Sequence, residues 1–284
     1  MHSTTPSPVA EAQVDVLIPT RNRPAALAVT LTSLMAQTAA SLRIVVADQS
    51  DSSSLNAPEL RAVIRLLRAQ GRPLDWHGPR PRRGLAEQRS FLLGQARAPH
   101  VLFLDDDVIL EPDLVERLLA AIRRARCGFV GSAVHGLSHL HDERPHHEVI
   151  SWWGDTVEPE RIRPGGPQWE RHHLHSAANL YHLQQRLGTP SRSEPDAPPR
   201  LYKVAWVGGC VLFDTAKLRA AGGFDFWQDL PASHCGEDVL AQLRVMARDG
   251  GCGLFPSGAY HQELPTTVPE RDCDAPWALQ AVLP

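Results

Sequence analysis

The sequence predicts an α/β protein whose mainly parallel β-sheet is covered by helices. Short apolar strands alternate with helix-like segments through the first half of the chain, a pattern typical of β-α-β units. The chain has 284 residues, of which 43% are hydrophobic and 21% are charged. This composition is ordinary for a globular protein, and the length lies near the upper limit for one continuous core. We therefore expect one folded domain with additions.

Four predicted strands in the first half are each followed by a predicted helix. The strands are apolar and read VDVLI at 14–18, LRIVVA at 42–47, PLDWH at 73–77 and HVLFL at 100–104. The helices are indicated by apolar periodicity or by a proline in the first turn. They are expected at 25–37, 58–70, 85–96 and 112–125, and a further short strand is expected around Phe129 and Val130.

Residues 135–200 interrupt this pattern, because they are rich in His, Pro, Trp and Arg and have no sustained period. We interpret them as an insertion with one helix at about 171–187 and an exposed, proline-rich loop at the end. Regular structure is expected again over 201–265, with helices at 215–221 and 237–249 and a strand at about 253–256. The predicted organisation is a flexible N-terminal tail at 1–13, a single domain at 14–265 and a C-terminal tail at 266–284.

Composition excludes several classes of protein. A formal net charge of -3 leaves no basic surface for nucleic acid, and the five cysteines are scattered without a C-x-x-C pair. No apolar run approaches the roughly 18 residues of a membrane span, and the first residues do not resemble a signal peptide. The sequence therefore predicts a cytoplasmic protein without a transmembrane segment, with peripheral attachment to the inner face of a membrane as the alternative.

Three adjacent acids, Asp105, Asp106 and Asp107, directly follow the strand HVLFL. Ligands of open α/β sheets bind beyond the carboxyl ends of the strands, so these side chains are expected where a substrate would lie. Adjacent carboxylates repel one another unless a cation lies between them, and their oxygens suit Mg²⁺ or Mn²⁺. The alternative is a turn or capping cluster before the helix that Pro112 opens.

Three further polar positions also have two interpretations. Asp48, at the end of the second strand, could bind a base or ribose or could be a turn residue. Glu237 and Asp238 open an amphipathic helix, where acids favour the helix dipole but could equally act as a general base. His261, beyond the last strand, could bind a metal or be merely structural.

In chain order, these segments resemble family 2 of the inverting glycosyltransferases, which have the GT-A nucleotide-binding fold. The resemblance rests on VDVLIPTRNRP, VVADQSD, RRGLAEQRSFLLGQARAPHVLFLDDDV and GED. It covers most of the chain but not 135–200. The pattern departs from the family at Gln49-Ser50 and at Gln88-Arg89-Ser90. The resemblance implies a nucleotide-binding half at about 14–134 and an acceptor and base half at about 201–265.

The resemblance also implies roles for individual residues. Pro19, Thr20 and Asp48 would hold the nucleobase, Arg89 would approach the diphosphate, and Asp238 would be the base. Asp105 and Asp107 would form an Asp-x-Asp pair that binds Mn²⁺ or Mg²⁺, with Asp107 nearest the ion and His261 completing its coordination. We also assign Arg21 and Asp106 to the nucleotide-sugar site, Glu237 to the catalytic pair, and Trp206, Gly208 and Gly209 to the acceptor site.

The implied activity is an inverting transfer of a sugar from a nucleotide diphosphate, with a UDP-sugar favoured, to a hydroxyl of a glycan or glycoconjugate. Asp238 is expected to have an ordinary carboxylate pKa of about 4 and to be ionised at pH 7. The alternatives are a sugar-phosphate nucleotidyltransferase and a non-catalytic nucleotide-sugar-binding protein. The His spacings in the insertion match no standard zinc site, so we favour a solvated or acceptor-facing loop there.

Overall fold

The computed structural model describes residues 12–39, 41–188, 199–269 and 271–284. The predicted N-terminal tail, apart from its last two residues, and most of the proline-rich loop lie outside the described residues. The predicted fold class is confirmed, because helices flank one large sheet of eight strands. No helix in the described parts of the chain is both long enough and apolar enough to cross a membrane.

The first half alternates strands and helices as predicted, and the observed limits differ from the predicted ones by at most two residues. Its strands are β1 (Val14–Thr20), β2 (Leu42–Asp48), β3 (Leu74–His77), β4 (His100–Leu104), β5 (Val108–Leu110), β6 (Phe129–Gly131) and β7 (Val134–His135). Its helices are α1 (Pro24–Met35), α2 (Pro58–Ala69), α3 (Leu85–Gln95) and α4 (Leu114–Ala125).

The second half is less regular and begins with the predicted insertion. The helix expected at about 171–187 is divided into a 3-10 segment, Trp169–His175, and an α-helix. The remaining strands are β8 (Arg200–Tyr202), β9 (Cys210–Asp214), β10 (Gly251–Phe255) and β11 (Ala259–His261). The remaining helices are α5 (Asn179–Leu187), α6 (Thr215–Ala220), α7 (Glu237–Asp249) and α8 (Ala275–Ala278).

The large sheet has the strand order β3-β2-β1-β4-β9-β6-β10-β8. Strands β1 to β4 pair in parallel, whereas β9 runs antiparallel to both β4 and β6. As a result, the start of β9 lies at the same sheet edge as the end of β4. A second sheet, β5-β11-β7, lies beyond this edge and was not predicted, because strands of two or three residues carry no detectable period.

Two apolar clusters pack against the two faces of the large sheet. Leu17, Val101 and Phe103 belong to one cluster, and the alternate residues Val16 and Leu102 belong to the other. This division follows from the strand period of two, which directs successive side chains to opposite faces. Both faces are therefore covered, as near-continuous apolar strands require.

A buried ion pair lies at the start of β1, at the sheet edge opposite the predicted site. The carboxylate of Asp15 accepts bonds from the guanidinium of Arg43 at 2.8 and 2.7 Å, and from two backbone N–H groups at 2.6 and 2.9 Å. Burial alone would raise the pKa of Asp15, but these hydrogen bonds hold it below its ordinary value. The pair joins β1 to β2.

The predicted C-terminal tail is not detached from the domain. Helix α8 packs against α7, and the backbone N–H of Cys235 donates to the carbonyl of Cys273 at 2.9 Å. Ala275 and Leu283 are buried in one of the two apolar clusters. The segment from 273 to 283 is thus part of the folded unit around the start of α7.

Candidate active site

A cleft of about 460 Å³ lies at the carboxyl edge of the sheet, where the strand ends and helix starts that carry the predicted site residues meet. The end of β1, the residues after β4, the loop before β9 and the start of α7 all reach it. Twelve of the fourteen predicted site residues line the cleft: Pro19, Thr20, Arg21, Arg89, Asp105, Asp106, Asp107, Gly208, Gly209, Glu237, Asp238 and His261. The sequence prediction therefore located the cleft.

Each carboxylate of the acid triplet has a different partner. Asp105 accepts a bond from Nη2 of Arg89 at 2.8 Å. Asp106 accepts one from the hydroxyl of Thr20 at 2.6 Å, and Asp107 accepts one from Nη1 of Arg23 at 2.6 Å. Arg89 and Arg23 thus place two cations beside the three acids, so repulsion within the triplet does not by itself require a metal ion.

Asp106 accepts hydrogen bonds through both its side chain and its backbone. Its carboxylate lies against Thr20, and its backbone carbonyl accepts the hydroxyl of Thr30 at 2.8 Å. Burial raises the pKa of Asp106 to about 7, and the charge of Asp107 adds to the rise. These contacts join β1 and α1 to the residues after β4, and Asp106 still lines the cleft.

Arg89, which is predicted to approach the diphosphate, lines the cleft with its guanidinium already paired to acids. Its Nε donates to Glu237 at 2.9 Å, and its Nη2 donates to Asp105, so the buried guanidinium lies between two carboxylates. Burial alone would lower the pKa of Arg89, but the charges of Asp105 and Glu237 outweigh it and raise the pKa. The side chain therefore joins the end of β4 to the start of α7.

Glu237 and Asp238 differ in exposure although they are adjacent. Glu237 is 2% exposed, although it is among the residues that line the cleft, and its carboxylate is bonded to Arg89. Asp238 is partly exposed and lines the cleft. Burial, followed by the charge of Glu237, raises the pKa of Asp238 to about 7. The expectation of an ordinary pKa near 4 is therefore wrong.

His261 lies beside Asp107 because β11 pairs with β5, which opposes His261 to Val108. Its Nε2 is 3.5 Å from Oδ2 of Asp107. Its Nδ1 accepts the N–H of Glu263 at 2.7 Å, so the neutral ring carries its proton on Nε2. Coordination of a metal through Nε2 therefore requires that this proton leaves and that Nδ1 exchanges its partner.

The donor set fits a divalent cation that is held mainly by carboxylates and completed by phosphate oxygens. Mg²⁺ is commonly bound through one or two carboxylates and substrate phosphates. Asp107 and Asp105 supply such oxygens, and 3.5 Å between Asp107 and His261 is a separation that two ligands of one ion can have. Among the described residues, no group of three or more His, Cys, Asp or Glu side chains forms a complete metal site.

Two predicted residues do not reach the cleft. Asp48 is fully buried, and its two carboxylate oxygens accept the N–H groups of Ser50 and Ser54 at 2.9 and 3.0 Å. This is the turn arrangement that was the alternative to nucleobase binding. Trp206 is stacked on His172, with ring centroids 4.7 Å apart and an interplanar angle of 12°. It supports the insertion and does not line the cleft.

The glycine pair before β9 does line the cleft. The backbone carbonyl of Gly209 accepts the N–H of Asp105 at 2.9 Å, which holds the loop against the acid triplet. Gly209 has φ +75°, and a Cβ there would lie 3.0 Å from Val134. The position therefore favours glycine both for its backbone conformation and for the close approach.

The sequence profile described as Glycosyl transferase family 2 matches residues 15–186, which is more than half of the chain. The chain belongs to glycosyl transferase family 2. The matched segment contains β1 to β4 and the acid triplet, and it ends within the insertion. The prediction of a family 2 glycosyltransferase is therefore confirmed. No curated protein sequence matches this glycosyltransferase.

Solved structures resemble the glycosyltransferase at low sequence identity, so they bear on the fold alone. Staphylococcus aureus TarS 1-349 has 17% identity and a TM-score of 0.53, over 88% of this chain and 60% of TarS 1-349. Its complex with UDP-GlcNAc has 15% identity and a TM-score of 0.55, over 90% and 60% of the two chains. The mannosyltransferase PcManGT from Pyrobaculum calidifontis, solved with GDP-Man and Mn²⁺, has 15% identity and a TM-score of 0.50, over 88% and 59%.

These likenesses confirm the GT-A type of fold for this glycosyltransferase. The chain spans about 60% of the length of these solved chains.

Sequence reasoning gave no role to several residues that line the cleft of the glycosyltransferase, among them Arg82, Arg271, Arg23, His234 and Gln88. Arg23 stands directly before the helix-opening Pro24. His234 precedes the GED segment, and its Nε2 accepts the N–H of Ala86 at 3.0 Å in the first turn of α3. Gln88 donates to the carbonyls of Thr20 and Ala47 at 3.0 and 2.6 Å and so joins α3 to two strand ends. Of Arg23, His234 and Gln88, only Arg23 stands in a sequence pattern that indicates its position, the start of the helix at Pro24.

The described part of the insertion contains a series of packed histidine and tryptophan rings. His147 and His173 lie face to face, with centroids 4.4 Å apart and an interplanar angle of 8°, and His172 lies 4.1 Å from His173. Stacked faces direct the ring nitrogens away from a common centre, whereas a zinc site needs them to converge. The column continues through Trp206 to Trp169, 4.4 Å away, and anchors the 3-10 segment over the loop before β9.

Proposed function

We propose that this glycosyltransferase moves a sugar from a nucleotide diphosphate to a hydroxyl of a glycan or glycoconjugate, with inversion at the anomeric carbon. A UDP-sugar is the favoured donor, in line with the UDP-GlcNAc complex of TarS, and the GDP-Man complex of PcManGT makes a GDP-sugar the first alternative. The nucleotide would lie against the half at about 14–134, and the acceptor would enter from the half at about 201–265.

One observation carries this proposal. Arg89 bonds both to Asp105, after β4, and to Glu237, at the start of α7. The Arg89 side chain therefore connects the acid triplet to the residue next to Asp238, and all of these residues line the same cleft. A direct displacement needs a base on one face of the sugar and stabilisation of the leaving diphosphate on the other. The two ends of the Arg89 bridge supply groups of these two kinds.

Asp238 would accept the proton of the acceptor hydroxyl as the new C–O bond forms. A carboxylate whose pKa is raised to about 7 is a stronger base than an ordinary one, and about half of it is ionised at pH 7. Glu237 and Arg89 would hold Asp238 in position from the buried side. The acceptor would pass Gly208, which is exposed and has open space where a side chain would lie.

The departing diphosphate would be bound by cationic side chains of the same cleft. Arg82 and Arg271 line it, together with Arg21, and they replace Arg89 as the residues that would contact phosphate oxygens. A divalent cation, Mn²⁺ or Mg²⁺, held by Asp107 and Asp105 and by His261 once its Nε2 is free, would neutralise charge on the leaving group.

Release of nucleotide diphosphate from a panel of UDP-, GDP- and dTDP-sugars tests the function and the role of Asp238 together. Because water can replace the acceptor, donor hydrolysis is measurable without knowledge of the acceptor. We expect Asp238→Asn to retain donor binding but to lower the rate by about 10² to 10⁴, the usual contribution of a general base.

The matched control is Asp249→Asn, at the opposite end of α7, about 16 Å from Asp238 along the helix axis. It should turn over the donor at the wild-type rate. Full activity of Asp238→Asn would remove the base from the proposal. Donor binding without any turnover by the wild type would favour the non-catalytic nucleotide-sugar-binding alternative.

A further inference from the structure

Arg23 is a cation that contacts two acids of the triplet, Asp106 and Asp107. Its Nη1 is 2.6 Å from Oδ2 of Asp107 and 3.4 Å from Oδ1 of Asp106. Its Nη2 donates to the backbone carbonyl of Pro265, in the segment that closes one side of the cleft. The Arg23 side chain is only 14% exposed, so water screens these contacts weakly.

The oxygen that Arg23 contacts is also the one that faces His261. Oδ2 of Asp107 lies 2.6 Å from the guanidinium and 3.5 Å from Nε2 of His261. A divalent cation bound to this oxygen would lie within a few ångströms of the Arg23 charge. Two cations this close, in a partly buried site, repel each other strongly.

We propose that Arg23 is a resident counter-ion of Asp107 that a divalent cation must displace, so that the cation binds tightly only together with the nucleotide diphosphate. This inference rests on the cation site in the proposed function. The diphosphate makes the displacement of Arg23 favourable, because its negative charge attracts the displaced guanidinium and offsets the charge of the cation. Arg23 would therefore weaken binding of the divalent cation alone, since Asp107 is already paired with the guanidinium.

The contact with Pro265 extends the effect to the cleft wall. Leu264, Thr266, Thr267 and Val268 line the cleft on either side of this carbonyl. While Arg23 bonds to both Asp107 and Pro265, it connects this wall of the cleft to the acid triplet. Displacement of the guanidinium by a cation and diphosphate would remove this connection as the donor enters.

Calorimetric titration with Mn²⁺ alone, without any nucleotide, tests the proposal. Arg23→Gln removes the charge, Arg23→Met serves as a second charge-removing variant in case the first does not fold, and Arg23→Lys keeps a charge. Arg244→Gln is the matched control, because Arg244 is 19% exposed, pairs with the exposed Asp225 at 2.6 Å and is not among the residues that line the cleft. We expect both charge-removing variants to bind Mn²⁺ at least about tenfold more tightly than the wild type.

Wild type, Arg23→Lys and Arg244→Gln should bind Mn²⁺ weakly alone and more tightly once UDP, GDP or dTDP is present. Equal Mn²⁺ affinities for Arg23→Gln, Arg23→Met and Arg244→Gln, with normal binding in the presence of nucleotide, would overturn the role of Arg23 only. An absence of Mn²⁺ binding in every variant, with and without nucleotide, would overturn the cation site of the proposed function as well.

Discussion

At the scale of single residues, the environment of each acid decides its chemistry more than its place in a motif. Asp106 and Asp238 are both aspartates of predicted motifs that line the cleft, yet Asp106 is buried and bonded to the hydroxyl of Thr20, whereas Asp238 is partly exposed. The pKa of each is raised to about 7, with burial as the largest cause. Asp48 is buried with both oxygens used by its own loop.

The raised pKa of Asp238 predicts a pH dependence of donor turnover. Only the ionised carboxylate accepts a proton, so the rate should be constant well above pH 7 and should fall as the pH drops through about 7. Below the pKa the decrease should approach tenfold per pH unit. Rates of nucleotide diphosphate release from about pH 5.5 to 8.5 measure this, with donor affinity determined at each pH as the control. A rate that stays constant down to pH 5.5 would contradict a base with this pKa.

At the scale of elements, ion pairs between neighbouring segments hold the strand edges in register. Asp15 and Arg43 join β1 to β2 at one edge, and Arg89 joins β4 to α7 at the other. Arg43 also bonds to Asp75 of β3 at 2.9 Å, but the Asp75 side chain is 43% exposed, whereas that of Asp15 is fully buried. The two acids therefore differ in how far water can replace their contact.

Asp15→Ala should destabilise the protein by about 3 to 5 kcal/mol, because it leaves the buried guanidinium of Arg43 without its main partner. Asp75→Ala, the matched control, should cost no more than about 1 kcal/mol. Chemical denaturation at pH 7 measures both free energies of unfolding. A loss of less than about 1 kcal/mol for Asp15→Ala would contradict this assignment.

The same pair predicts how stability depends on pH. The pKa of Asp15 is lower in the folded state than in the unfolded state. Its contribution is therefore fully present above the unfolded pKa of about 4 and is lost as the pH falls through the folded pKa. The difference in unfolding free energy between wild type and Asp15→Ala should shrink on acidification below pH 4 and stay constant between about pH 5 and 7.

At the scale of the whole molecule, the sequence predicted the fold class and the edge of the sheet that carries the site. It could do so because apolar strands and helix periods are local signals, and because the ends of parallel strands meet at one edge. The connections between distant segments could not be predicted. Arg89 between Asp105 and Glu237, and Arg23 on Asp107, are pairings over long sequence separations that no local pattern encodes.

The insertion and the C-terminal segment show the same limit. Their residues have little periodicity, and their structure comes from tertiary contacts, such as the stacked rings from His147 to Trp169 and the burial of Ala275 beside α7. The short sheet that places His261 beside Asp107 also forms only when β11 meets β5. Sequence reasoning therefore predicted the residues of the cleft better than their bonds.

If the acid triplet and Asp238 flank one donor sugar, a crystal structure of Asp238→Asn with Mn²⁺ and an intact nucleotide-diphosphate sugar should show both contacts. We expect the diphosphate beside Asp105 and Asp107, and the anomeric carbon of the sugar facing the side chain at position 238. A nucleotide bound outside the cleft, or a sugar directed away from position 238, would contradict it.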